Sequence, residues 1–208
     1  MPLLKQAKTV AQIDLDRILT HVETMRYPLR NRVMVLLSFK AGLRACEIAG
    51  ITWAMVTDSD GAVSNRIALT DEASKTVRAV KGARGHGGGR IIPLNAQLRE
   101  ALVALQAERG ERAAPNAQIV HSERQQCGGY SANAVAVWFH LLYKAMNIQG
   151  ASSHSGRRTF ITNAARQVPL IGGSLHDVQK LAGHTNLNTT QRYIEDDSEV
   201  QAKLVDLV

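Results

Sequence analysis

Apolar residues recur along this chain with two periods, and the change of period marks out its parts. Thr9 followed by Gln12 resembles a capping box, and Ile13, Ile18, Leu19 and Val22 then recur at helical spacing. Tyr27-Pro28 breaks that helix, and Pro28 suits the first turn of the next. Val33, Leu36, Leu37 and Phe39 make this second helix strongly apolar, and Gly42 reads as its stop. Between residues 53 and 94 the period shortens. Residues 58–61 carry a turn signal, and 65–70, 76–81 and 90–94 read as strands, with a glycine-rich hairpin tip over 82–89. Asn95 is placed to cap a helix bearing Leu98, Leu102 and Leu105, ended by Gly110, with a polar loop over 108–115.

Helical spacing returns at Ser131, where Val135, Trp138, Leu142 and Ala145 are expected to face inward and Asn133, His140 and Lys144 outward. His154 and Arg157 approach a helix running through Ala165. Ser174 with Asp177 opens another, which carries Val178 and Leu181 and ends at Gly183. Asn188 or Thr189 can cap the segment holding Tyr193. Val200, Leu204 and Leu207 stripe a short amphipathic tail after the acidic Glu195, Asp196 and Asp197. The pattern predicts a mainly α chain with a small three-stranded antiparallel β-sheet and no internal repeat. It reads as one domain over 1–208, with a helical lead-in over 1–27 and a tail over 198–208.

Composition narrows this picture. A chain of 208 residues with 45% hydrophobic content supports one real core. The formal net charge of +7 favours a polyanionic partner. Two cysteines, Cys46 and Cys127, make neither a disulfide framework nor a metal cluster, which fits a reducing cytosol. No stretch reaches membrane-spanning length, and the amino terminus has no long apolar core. The expectation is a soluble, intracellular protein.

The candidate chemistry lies mostly between His154 and Tyr193. The stretch HSGRRTF sets His154 and Arg157 three apart, on one face of a helix start. LAGHTNLNTTQRYI follows, with His184 after a glycine and Tyr193 nine residues further on. Upstream, GLRACEIAGITW places Arg44 three residues before Glu47. Taken singly, each has an ordinary explanation: Arg44 paired with Glu47 at the surface, Gly183-His184 as a helix end, Tyr193 as packing. Lys81, Arg84, His86 and Arg90 likewise read as a solvated basic loop, which still suits phosphate contact. The ordered set is more specific than its parts.

That set resembles the tyrosine recombinase (phage integrase) family: GLRxxE, a Lys before a β-turn, HxxR, then GH and a Tyr nine residues later. The match runs from about Pro28 to the C-terminus and covers the family's catalytic domain. Two features depart from the pattern. Gly156 stands where an apolar residue is usual before the second Arg, and the separate N-terminal DNA-clamping domain is expected to be missing. The chain then reads either as a natural short member or as the catalytic domain of a longer integrase.

The resemblance implies roles for individual residues. Arg44 and Arg157 would neutralise the non-bridging oxygens of a phosphodiester, which planar guanidiniums do well because they bind bidentately and stay charged. Arg158 is the alternative to Arg157. Tyr193 would be the nucleophile, with His154 as general base, since a phenol ordinarily titrates near roughly 10. His184 would hydrogen-bond the phosphate. Lys81, with Lys75 as competitor, would protonate the departing 5′ oxygen. Arg84, Arg90, Lys144 and Arg158 are the candidate DNA contacts.

The implied activity is site-specific cutting and rejoining of DNA through a 3′-phosphotyrosine, with no metal, ATP or other cofactor. It would run in a homotetramer on double-stranded recombination sites, in the nucleoid-associated cytoplasm. The tail either docks into a neighbouring subunit or folds back on its own domain. A type IB topoisomerase-like strand transferase and a non-cutting DNA-binding regulator are the alternative functions.

Overall fold

A computed structural model describes residues 7–70, 73, 89–122 and 129–193. The chain groups into two compact units, residues 1–160 and 161–208.

In the first unit, helix α1 (Gln12–Glu23) buries Leu15, Ile18, Leu19 and Val22 against α2 (Pro28–Lys40). Ala11 occupies the N-cap without a side-chain bond, so the expected box from Thr9 to Gln12 does not start this helix. Ile13 is 70% exposed. At 100° per residue it lies opposite the stripe set by Leu15, Ile18 and Val22, and that stripe decides which face is buried.

Pro28 opens α2 at its first turn, preceded by Tyr27 in the left-handed region (φ 65°). The helix is buried on nearly every side, including Val33, Leu36, Leu37 and Phe39, and packs against α1, α3 (Ala45–Gly50) and α4 (Ala96–Arg109). Gly42 ends it as expected. Its φ of 63° lets the Leu43 N–H reach back six residues to the Leu37 carbonyl at 3.1 Å. A β-carbon at Gly42 would also run into the ring of Phe160.

After a short 3-10 turn at Trp53–Met55, strands β1 (Arg66–Leu69) and β2 (Arg90–Pro93) pair antiparallel. The sheet has two strands among the described residues, and the strand expected over 76–81 lies outside them. Its register pairs Ile67 with Ile92, both buried, and Leu69 with Arg90. Because side chains alternate along a strand, Arg90 shares the inward face with Ile92.

Asn95 caps α4 by accepting from the Leu98 N–H at 2.9 Å, and Leu98, Leu102 and Leu105 are buried. A 3-10 turn at Gly110–Arg112 occupies part of the expected polar loop. Helix α5 (Ala132–Ala145) starts on Ser131, whose hydroxyl accepts from the Ala134 N–H, and packs against α3. Its buried face is Val135, Phe139, Leu142 and Tyr143. Trp138 is only half-buried and Ala145 is exposed, contrary to expectation. Trp138 instead sets its ring edge-on to Phe139 at 5.0 Å. Asn133, His140 and Lys144 are exposed, as anticipated.

Helix α6 (Ser155–Gln167) contains the boundary between the units. The second unit continues with a 3-10 turn at Val168–Ile171, α7 (Leu175–Ala182) and α8 (Leu187–Gln191), where α7 packs on α8. Among the described residues, no helix is long and apolar enough to cross a membrane.

Candidate active site

The left-handed turn at Gly42 delivers the chain directly to Arg44, the residue that precedes α3. The side chain of Glu47, one turn into α3, accepts from the Arg44 backbone N–H at 2.8 Å, which caps the helix start. The same carboxylate accepts from Arg44 Nη1 at 3.0 Å. Glu47 is thus the partner of Arg44 that the sequence suggested, but the pair is not a surface one. The Glu47 side chain is 1% exposed, against 33% for Arg44.

A third residue explains how a carboxylate survives burial there. Arg90, inward on β2, forks onto Glu47 with Nη1 to Oε1 at 2.8 Å and Nη2 to Oε2 at 2.9 Å. Burial alone raises a carboxyl pKa, yet the Arg90 and Arg44 interactions outweigh it and hold Glu47 at about 2. Arg90 had been a candidate DNA contact. Its side chain is only 9% exposed and its guanidinium is engaged with Glu47.

His154 and Arg157 enter from the start of α6. Ser155, fully buried, ties the entry by accepting from the Ser152 N–H at 2.9 Å. One turn on, Thr159 accepts from the Val10 N–H at 2.9 Å, which fastens the amino-terminal segment to the helix. Arg157 is 3% exposed, and its Nη1 donates to the Gly42 carbonyl at 2.6 Å. The glycine that ends α2 therefore also anchors the second arginine.

Gly156 has a steric reason. A β-carbon there would collide with the Ser38 side chain and approach Phe39 Cδ2 to 2.9 Å. Absence of a side chain lets the start of α6 close onto the end of α2, so the departure from the family pattern tightens local packing.

The His154 pKa is lowered, first by partial burial and then by the positive charges of Arg157 and Arg44. The direction favours the neutral ring, the form that can accept a proton. Charges acting on it include those of Arg157 and Arg44, and the alternative, Arg158, is half-buried. The first unit thus brings together Arg44, His154 and Arg157, with Glu47 and Arg90 behind Arg44.

His184 and Tyr193 lie in the second unit. Ser174 opens α7 with both its N–H and hydroxyl donating to Asp177 Oδ2 at 2.9 Å, the box expected there. Gly183 at φ 65° turns the chain so that the His184 N–H bonds back to the Gln179 carbonyl, and Gln179 Nε2 donates to the His184 carbonyl at 3.0 Å. On the ring, Nδ1 lies 2.9 Å from the hydroxyl of Thr190, which is fully buried. Where Nδ1 accepts that hydroxyl, Nε2 carries the proton and becomes a donor. The rings of His184 and Tyr193 stack with centroids 5.7 Å apart and planes 18° apart. Asn186, rather than Asn188 or Thr189, caps α8 by accepting from the Asn188 N–H, and Tyr193 follows the helix in a turn.

The remaining candidates divide simply. Lys75, Lys81, Arg84 and the tail stripe of Val200, Leu204 and Leu207 lie outside the described residues. Lys144 is exposed on α5. Sequence reasoning missed the inward fork of Arg90 and the role of Thr190. The first was detectable from strand alternation, since Arg90 stands two residues before Ile92. Thr190 carried no signal beyond a hydroxyl shortly after His184. Among the described residues, no group of three or more His, Cys, Asp or Glu side chains could hold a metal ion.

The fold is similar to the Tn1549 transposon integrase in complex with transposon right-end DNA, with a TM-score of 0.72 over 97% of this chain and 65% of that one, at 17% identity. It is similar also to the XerA recombinase, with a TM-score of 0.69 over 100% and 65%, at 19% identity. In sequence, the chain is 29% identical over 180 residues to tyrosine recombinase XerC of Myxococcus xanthus, covering 80% of this chain and 50% of that protein. It is 27% identical over 188 residues to tyrosine recombinase XerA of Thermococcus kodakarensis, covering 89% and 57%. The chain therefore spans about half the length of the curated relatives it matches. The model of the phage integrase family matches residues 8–199, and with the Arg–His–Arg cluster and the His–Tyr pair built as described, this chain belongs to the phage integrase family of tyrosine recombinases.

Proposed function

We propose that this chain cuts and rejoins DNA at specific sites through a 3′-phosphotyrosyl intermediate. The observation that carries the reading is an imidazole, His154, on which the charges of two guanidiniums, Arg157 and Arg44, act to lower its pKa beside the effect of partial burial. That combination suits a reaction in which charge grows on a phosphate while a proton must be removed from the attacking group.

In the proposed step, the Tyr193 hydroxyl gives its proton to His154 and its oxygen bonds to phosphorus. The bond from phosphorus to the 5′ oxygen breaks, and that oxygen takes a proton from Lys81. Arg44 and Arg157 hold the non-bridging oxygens, and His184 donates to one of them. A 5′-hydroxyl from a partner strand then attacks the phosphotyrosine, and Tyr193 recovers its proton. One phosphodiester is exchanged for another, so bond energy is conserved and no nucleotide is consumed.

Sequence likeness to tyrosine recombinases and fold likeness to an integrase bound to transposon-end DNA support double-stranded DNA as the partner. So does the net charge of +7. We infer further that four copies act together on paired sites in the nucleoid.

The test is a nicked duplex carrying a recombination site, incubated with the protein in EDTA and run on a denaturing gel. A slow-migrating protein–DNA band that disappears with Tyr193→Phe is expected, while that variant still binds the duplex. A band that survives the substitution overturns the nucleophile.

A further inference from the structure

The carboxylate of Glu47 has four acceptor positions, and all four are filled. Oε1 takes Arg44 Nη1 and Arg90 Nη1, while Oε2 takes the Arg44 backbone N–H and Arg90 Nη2. Two guanidiniums therefore share one buried negative charge, and they share it unequally. Arg90 binds as a two-pronged fork and is nearly buried, at 9% exposure. Arg44 contributes one guanidinium nitrogen and keeps a third of its side chain exposed.

This inequality has an electrostatic consequence. If Arg44 were the sole counter-ion of a buried carboxylate, the pair would be neutral, and a phosphate would have to compete with Glu47 for the same guanidinium. With Arg90 forked onto Glu47, the carboxylate is already neutralised. The cluster of three then carries one net positive charge, and that charge sits on the arginine that reaches solvent.

Orientation follows from the same contacts. Glu47 fixes Arg44 through its backbone N–H and through Nη1, and Arg90 fixes the carboxylate that does so. Strand register decides that Arg90 can serve. Its pairing with Leu69 puts it on the face of buried Ile92, and a slip by one residue would turn it to the outside.

We propose that Arg90 is a positioning residue for phosphate recognition: it takes up the charge of Glu47, so that Glu47 orients Arg44 without neutralising it. The inference rests on the reading of Arg44 as a phosphate ligand. Arg90 thereby supports a catalytic arginine rather than contacting DNA itself.

The experiment measures single-turnover adduct formation against DNA concentration for the wild type, Arg90→Ala, Arg90→Lys and Arg44→Ala. Arg90→Ala is expected to lower the rate at saturating DNA about a hundredfold, the scale of a misplaced reacting group, with half-saturation changed less than about twofold. Arg90→Lys restores the charge without the fork and should recover part of the loss. In the Arg44→Ala background, Arg90→Ala should cost almost nothing more, because its effect passes through Arg44.

An opposite pattern overturns the proposal: weaker binding with a salt slope reduced by about one, and an unchanged rate at saturation, marks Arg90 as a DNA contact. Fully multiplicative losses in the double variant overturn it as well. A second arm needs no cleavage. The Nε–Hε signal of Arg44 in the free protein, assigned through Arg44→Lys, should be sharp in the wild type and broadened in Arg90→Ala; an unchanged signal contradicts the proposal. Adduct formation by the wild type decides the recombinase reading separately, so the two can fail independently.

Discussion

The Arg44–Arg157 region and the His184–Tyr193 region hold their functional groups in different ways. In the first, contacts span the sequence: Arg157 bonds a carbonyl 115 positions away, and Arg90 bonds Glu47 across 43. Arg44 precedes α3, Arg157 stands in the first turn of α6, and Arg90 takes an inward strand position. In the second, His184 is fixed by neighbours five and six residues away, Gln179 and Thr190. The proposed phosphate-holding groups are cross-braced by tertiary structure, whereas His184, stacked on the proposed nucleophile, is held by contacts five and six residues away. Charge that must stay fixed against a charged substrate benefits from a buried frame.

The largest effect is expected from breaking the frame at its centre. Glu47→Ala should cost about 3–5 kcal/mol of stability, measured by urea unfolding, because two guanidiniums, one of them nearly buried, would lose the carboxylate they share. Acid titration sharpens the point. Glu47 is held at about 2, below its ordinary 4.5, so its stabilising contribution is complete above 4.5 and is lost as pH falls toward 2. The Gln variant should show less of that acid-dependent loss.

A smaller effect is expected where α6 meets α2. Gly156→Ala places a β-carbon against Ser38 and Phe39, and should cost about 1–3 kcal/mol of stability in the same assay. It should also slow adduct formation, because Arg157 follows immediately. In the second region, Thr190→Val removes a single hydroxyl from His184 and should cost only about 1 kcal/mol. An equally large loss at Thr190 and at Glu47 would erase the distinction between a braced frame and a local module.

The subtlest effect is in pH. His154 titrates below its usual range because of partial burial and the charges of Arg157 and Arg44, so adduct formation should persist to more acid pH than an ordinary histidine base allows. For stability the sign is the same: the unfolded chain binds the proton more readily, so folding weakens as pH drops below about 6.5. A pH–rate profile compared with His154→Gln checks the catalytic half of this statement.

Much of both regions was legible in the sequence because their signals are local. Gly42, Gly183, Asn95, Ser131 and the pair of Ser174 with Asp177 each act on backbone within one turn, and the structure uses them as expected. The ordered motifs also led to the family shown by comparison. What the sequence left obscure depends on which faces meet. Ile13 matched the helical period yet lies outside the stripe, and Phe139 and Tyr143 displaced Trp138 and Ala145 from the core. Arg90 looked like a surface cation because its residue type usually is one, although its place two before Ile92 aimed it inward. Gly156 departs from the family pattern, and the side chains of Ser38 and Phe39 that fill the space of a β-carbon give the reason only in the fold.

The most direct test of the account is to identify the residue that carries the DNA. The trapped adduct is digested with protease and nuclease, and the peptides are sequenced by mass spectrometry. The account predicts a nucleotide mass on Tyr193, formed in the presence of EDTA and absent from Arg44→Ala and Arg157→Ala at matched DNA occupancy. Attachment at any other residue, or undiminished attachment when both arginines are removed, would contradict it.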